Sequence, residues 1–61
     1  MTYRLIINGL VFQGLTLVQL LRMHGNELQA EAVRETLNNM GASRGFSWIV
    51  YGFEVQIDRE N

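Results

Sequence analysis

The stretch that decides the fold is Gly45-Phe46-Ser47-Trp48-Ile49-Val50-Tyr51-Gly52-Phe53-Glu54-Val55-Gln56-Ile57. It contains the only tryptophan, two of the three phenylalanines and a dense run of β-formers. Up to Val50 the large apolar residues fall on even positions (Phe46, Trp48, Val50). After Gly52 they fall on odd ones (Phe53, Val55, Ile57). Side chains alternate across a strand with period two, so a single regular strand would send these two sets to opposite faces. A two-residue turn at Tyr51-Gly52 removes the conflict by pairing Val50 with Phe53, Trp48 with Val55 and Phe46 with Ile57. Tyr51 is a poor residue for positive φ, so a bulge near Gly52 in one long bent strand is the alternative.

Working outward, Thr2 to Phe12 reads as a second hairpin around Asn8-Gly9, because a type I′ turn needs positive φ at both central residues. Tyr3, Leu5, Ile7, Leu10 and Phe12 are then expected on one face, and Arg4, Ile6, Val11 and Gln13 on the other. Gly14 is expected to end the strand. Thr16 and Gln19 have the spacing of a capping box, followed by Leu17, Leu20, Leu21 and His24 at helical intervals, with Gly25 as a stop. The β-formers Thr16, Leu17 and Val18 keep open a strand running from Phe12 to Leu20. Asn26 is placed to cap a longer helix over Glu27 to Met40, whose core stripe is Ala30, Val33, Leu37 and Met40. Gly41 ends that helix, and Leu28 and Ala32 fall outside its stripe. The expected fold class is α+β, in the order ββααββ: a small antiparallel or mixed sheet of two hairpins with one short and one longer helix packed on one face. Residues 1–61 are expected to form one domain.

Composition bounds the function. Sixty-one residues bury only about 60% of their unfolded surface, and domains this small usually need a staple or a partner. There is no cysteine, which excludes disulfides and thiolate metal sites. No cofactor is expected. Formal charge is −1, and the five basic residues are all arginines, scattered at Arg4, Arg22, Arg34, Arg44 and Arg59. Without a clustered basic face, or exposed aromatics interleaved with basic residues, a nucleic-acid partner is not expected. Met1 to Gly9 lacks a basic start followed by an apolar run, and Leu15 to Leu21 is too short to span a bilayer, so a soluble cytoplasmic protein is expected.

No residue set suggests catalysis. Ser43 or Ser47 with His24 and Asp58 would be a triad in composition only, since these residues lie on separate elements and no nucleophile elbow supports them. The chain is therefore read as a non-enzyme. Glu27, Glu31 and Glu35 form an acidic stripe at spacings of four, which costs about 0.2–0.5 kcal/mol per pair in an isolated helix. It suits a basic partner surface, although a solvated helix face relieved by Arg34 is the commoner meaning of such a pattern. The stronger signal is the outer sheet face, where Ile6, Val11, Ile49 and Tyr51 are expected to point away from the core beside Arg4. A contiguous exposed apolar patch usually marks an interaction site. The expected function is protein binding or self-association, in the style of the small cysteine-free inhibitors by which phages and mobile elements block host proteins.

Met1-Thr-Tyr-Arg-Leu-Ile-Ile-Asn-Gly9 resembles the opening of the immunoglobulin-binding B1 domain of streptococcal protein G, with arginine for lysine at position 4. Gly14, Thr16, Ala30-Glu31, Val33, Trp48, Phe53 and Val55 can be matched further on, with gaps. The resemblance implies a ββαββ fold and binding of antibody Fc through the helix and third strand, in this chain through Glu31, Asn39 and Trp48, or a redesigned derivative of such a domain. The chain departs from the family where the short first helix is read, in having no lysine, and in its shorter final turn.

Overall fold

Each hairpin turns on a pair of residues with positive φ. Asn8 and Gly9 lie at 47° and 84°, and Tyr51 and Gly52 at 53° and 81°. The backbone twist of a turn built from such a pair matches the right-handed twist of the flanking strands, so the turn continues the ladder instead of splaying it. The computed structural model describes residues 1–22 and 26–60. The elements are β1 (Thr2–Ile7), β2 (Leu10–Leu15), α1 (Leu17–Arg22), α2 (Glu27–Met40), β3 (Gly45–Val50) and β4 (Phe53–Glu60). The pairs Val50–Phe53, Trp48–Val55 and Phe46–Ile57 form as the change of phase requires, so residues 46–57 are a hairpin and not one bulged strand. His24 and Gly25, read above as the end of the first helix, lie outside the described residues.

The expected fold class needs correction in its sheet. The four strands lie in the order β2-β1-β4-β3, and every pairing is antiparallel, so the mixed alternative falls. The reason is directional. The α1–α2 excursion leaves the sheet and returns to the same end, so β2 and β3 run in opposite directions. A single crossover helix would have left them parallel, and β1 with β4 likewise. The helices also share the inner face unequally. α2 buries Ala30, Ala32, Val33, Thr36 and Met40, whereas α1 buries only Leu20.

Gly14 does not end its strand. It sits in β2 at φ 67°, where the register shifts by one residue between Tyr3–Leu15 and Leu5–Phe12. That is a bulge with glycine in the left-handed position. It moves Leu15 onto the core side beside Tyr3, a residue the uninterrupted alternation does not select. Leu10, expected in the core, is 63% exposed at the turn, and Leu17 is also exposed.

The caps form as their spacing predicts. The Thr16 Oγ1 accepts from the Gln19 amide (3.2 Å), and the Gln19 Oε1 accepts from the Thr16 amide (3.0 Å). The Asn26 Oδ1 accepts from the Gln29 amide (2.8 Å). At the other end of α2, Arg59 donates from Nη2 to the Gly41 carbonyl (2.7 Å) and from Nη1 to the Ser43 carbonyl. A cation thus meets the negative end of the helix.

The core centres on Leu5 and Ile57, facing each other across the β1–β4 ladder and both fully buried. Tyr3, Ile7, Val55, Val33, Met40 and Leu20 surround them. Ala32, expected outside the helical stripe, is fully buried. The stripe is wider than predicted because the next turn carries Thr36, whose hydroxyl donates to the Ala32 carbonyl and accepts from the Trp48 indole N–H, both at 2.8 Å. This one hydroxyl satisfies the polar atom of the largest side chain in the protein.

Two stability measurements check this account. Thr36→Val keeps the volume but strands the indole N–H, and should cost about 1–3 kcal/mol in urea unfolding followed by Trp48 fluorescence. Tyr51→Asn relieves a bulky residue in the left-handed region and should stabilise by about 1 kcal/mol in the same assay.

Candidate functional site: the open face of the sheet

Both helices pack on the side of Leu5 and Ile57, which leaves the opposite face of the sheet bare. Alternation places Thr2, Arg4 and Ile6 of β1 there, with Glu54, Gln56, Asp58 and Glu60 of β4, Gly45, Ser47 and Ile49 of β3, and Val11 and Gln13 of β2. The face divides into a charged half and an apolar half.

In the charged half, Arg4 donates to Asp58 Oδ2 from Nη2 (2.6 Å) and Nε (3.1 Å), and Gln56 Nε2 donates to the same oxygen at 2.8 Å. Arg4 is therefore not a free cation awaiting a ligand. Burial alone would push the Asp58 carboxyl up. The hydrogen bonds from Arg4 and Gln56, together with the Arg4 charge, outweigh it and hold the carboxyl below its ordinary value. The same pairing raises the Arg4 guanidinium, through the hydrogen bond to Asp58 and then its charge. Gly45 makes room for this arrangement, because a Cβ at its position would stand 2.4 Å from Asp58 Oδ1. Nearby, Glu60 Oε1 accepts from the Gly14 amide (3.0 Å) and from Thr2 Oγ1 (3.3 Å). A carboxylate from β4 thereby satisfies the donor that the bulge leaves out of the ladder.

In the apolar half, Ile6 pairs across strands with Val11 and with Gln56, and Ile49 pairs with Glu54. Ile49 is 69% exposed, Val11 52%, and Tyr51 49% at the adjoining turn. The strand order sets β4 between the apolar residues, so Glu54 and Gln56 lie within the patch and not only on its rim. A depression of about 370 Å³ bridges the gap, lined by Ile6, Ser47, Ile49, Glu54 and Gln56 with Gly9 at its end.

Glu27, Glu31 and Glu35 lie on α2, on the other side of the molecule. Glu27 and Glu31 are exposed, Glu35 is half-buried, and Glu31 pairs with Arg34 at 2.8 Å. The two surfaces read from the sequence are thus not brought together. Of the residues singled out by resemblance, Glu31 and Asn39 are exposed, while Trp48 is half-buried and bonded to Thr36. Among the described residues, no three His, Cys, Asp or Glu side chains gather as a metal-holding group, and no helix is long and apolar enough to cross a membrane. Sequence reasoning missed Asp58 and Gly45 as neighbours of Arg4. Their nearness follows from β1 lying beside β4, which no local pattern encodes.

No protein-family model, curated protein or solved structure matches this chain.

The Asp58 carboxyl gives a pH test. With its folded-state value depressed, its contribution is present above about pH 4 and lost as pH falls through the depressed value. Asp58→Asn should flatten the acid limb of the stability–pH curve. Gly45→Ala, whose new methyl displaces the carboxylate, should flatten it too, and combining both changes should add little to either alone.

Proposed function

We propose that this chain is a non-enzymatic protein-binding module that docks a partner on the open face of its sheet. The observation that carries the reading is the depression between Ile6 and Ile49, flanked by exposed Val11 and Tyr51 and set against the Arg4–Asp58 pair. A helix-free apolar surface beside satisfied polar groups suits a partner that buries the isoleucines and leaves the ion pair at its margin. Arg4 acts there through its bond to Asp58 and so positions the margin of the interface. Glu27, Glu31 and Glu35 form a separate acidic surface suited to a basic region of the same or another partner. The size, the absence of cysteine and the lack of a catalytic grouping fit an inhibitor of the phage or mobile-element kind, acting in the cytoplasm by covering a host protein's surface.

An immunoglobulin-binding alternative draws on the N-terminal resemblance and on the exposure of Glu31 and Asn39 along α2. Retention on immobilised immunoglobulin Fc distinguishes it, and passage through the column removes it.

Ile49→Glu and Ile6→Glu should leave the circular dichroism spectrum intact and lower partner capture from host lysate at least tenfold relative to the parent chain. Undiminished capture of the same partner by both folded variants would remove the open face from the reading.

A further inference from the structure

We propose that β3 pairs antiparallel with β3 of a second copy of this chain, about a twofold axis at Ser47. The two four-stranded sheets then become one. β3 is an edge of the sheet. Its two-residue turn makes Val50–Phe53 a hydrogen-bonded pair, and at the far end the Arg59 amide donates to the Arg44 carbonyl at 2.7 Å. Alternation between these fixed points assigns the backbone groups of Phe46, Trp48 and Val50 to β4. Those of Gly45, Ser47 and Ile49 then point out of the sheet.

Natural edges are blocked by bulges, prolines or charged side chains. From Gly45 to Val50 there is none of these. The opposite edge is treated differently, since β2 is bulged at Gly14 and the freed amide is taken by Glu60. Ser47-to-Ser47 register uses all three outward residues, with Gly45 opposite Ile49 at both ends, for about six interchain hydrogen bonds. Each exposed Ile49 then lies against a glycine that has no side chain to cover that part of the sheet.

Charge favours a second copy as the occupant. The flank of α2 lined by Arg34, Leu37 and Asn38 faces Leu21 of α1, and Thr36 meets Trp48 of β3. Helical spacing therefore puts Leu28, Glu35 and Asn39 on the flank toward the β3 edge, while Glu31 stays with Arg34 on the outer side of the helix. In the Ser47 register, Arg44 falls opposite Val50 of the second copy, beneath the flank that carries Glu35. Arg44 has no ion-pair partner among the described residues of its own chain. With α2 packed over β3 and β4, the two α2 axes stand about 10 Å apart across the twofold, within helix-packing distance.

Sedimentation equilibrium from micromolar to millimolar concentration should show a monomer–dimer equilibrium. Ser47→Pro removes an outward N–H and no ladder bond within the chain, which an edge strand tolerates. It should be monomeric with an unchanged circular dichroism spectrum. Val11→Pro, the matched change on the β2 edge, should still dimerise. If Ser47→Pro fails to fold, a synthetic chain with an N-methylated Ser47 amide makes the same test. Arg44→Glu should weaken the dimer several-fold, and adding Glu35→Arg should restore it. A parent chain monomeric throughout, a dimer that survives loss of the Ser47 N–H, or one broken by Val11→Pro with Ser47 intact would overturn the proposal. Because Arg44 does not line the depression, partner capture by Arg44→Glu separates failure of the dimer from failure of the open-face reading.

Discussion

The pairing of β1 with β4 is the constraint on which everything else depends. It joins the first and last strands from Thr2–Glu60 to Ile7–Val55, and its pair Leu5–Ile57 is fully buried on both sides. Asn8 carries the ladder one step further, donating its amide to the Glu54 carbonyl and accepting the Glu54 amide on its Oδ1, both at 2.9 Å. The residue that makes the first turn therefore also fastens the two hairpins together. Closing contacts of such sequence separation carries an entropic cost, which the local turn and cap chemistry of the hairpins and helices helps to offset.

What was legible in the chain was what neighbours in sequence decide. The change of phase at Tyr51-Gly52, the Asn8-Gly9 turn, the Thr16–Gln19 box and the Asn26 cap all report local geometry, and each appears in the structure. What was not legible lies between elements. Strand direction turns on whether one or two helices intervene, and that choice made the sheet wholly antiparallel. Gly14 reads as a stop until Leu15 is seen to need the Tyr3 side of the sheet. Thr36 looks like a polar helix residue until an indole N–H arrives beside it. The open face was foreseen in its members, but not in having Glu54 and Gln56 inserted among them, because that depends on β4 and not β3 lying next to β1.

Placing the terminal strands at the centre has a consequence for binding. It pushes β2 and β3, the inner strands of the chain order, to the margins. The two margins then differ. One is bulged and tied down by Glu60, the other is straight and uncharged. The straight margin also separates the two candidate surfaces, with the open face below it and the acidic flank of α2 above. A second strand laid along β3 would extend both surfaces at once. It would also enlarge the buried area of a chain that, at this length, has little core to spare.

Tyr51 bears on the same end of the molecule. Asparagine suits a left-handed turn position, and the chain uses it at Asn8; at the equivalent place in the second hairpin it carries a large aromatic ring at φ 53°, half exposed. That conformation costs about 1–2 kcal/mol for an L-residue with a Cβ. The hairpin gains no compensating hydrogen bond from the side chain among the described contacts, so local stability gives no reason to keep it. A rigid aromatic at the turn two residues from Ile49 would be an energetically large contact for a partner and is a small one for the monomer. On the proposed open-face reading, that strain is the cost of holding the ring outward for a partner, at the tip of the second hairpin.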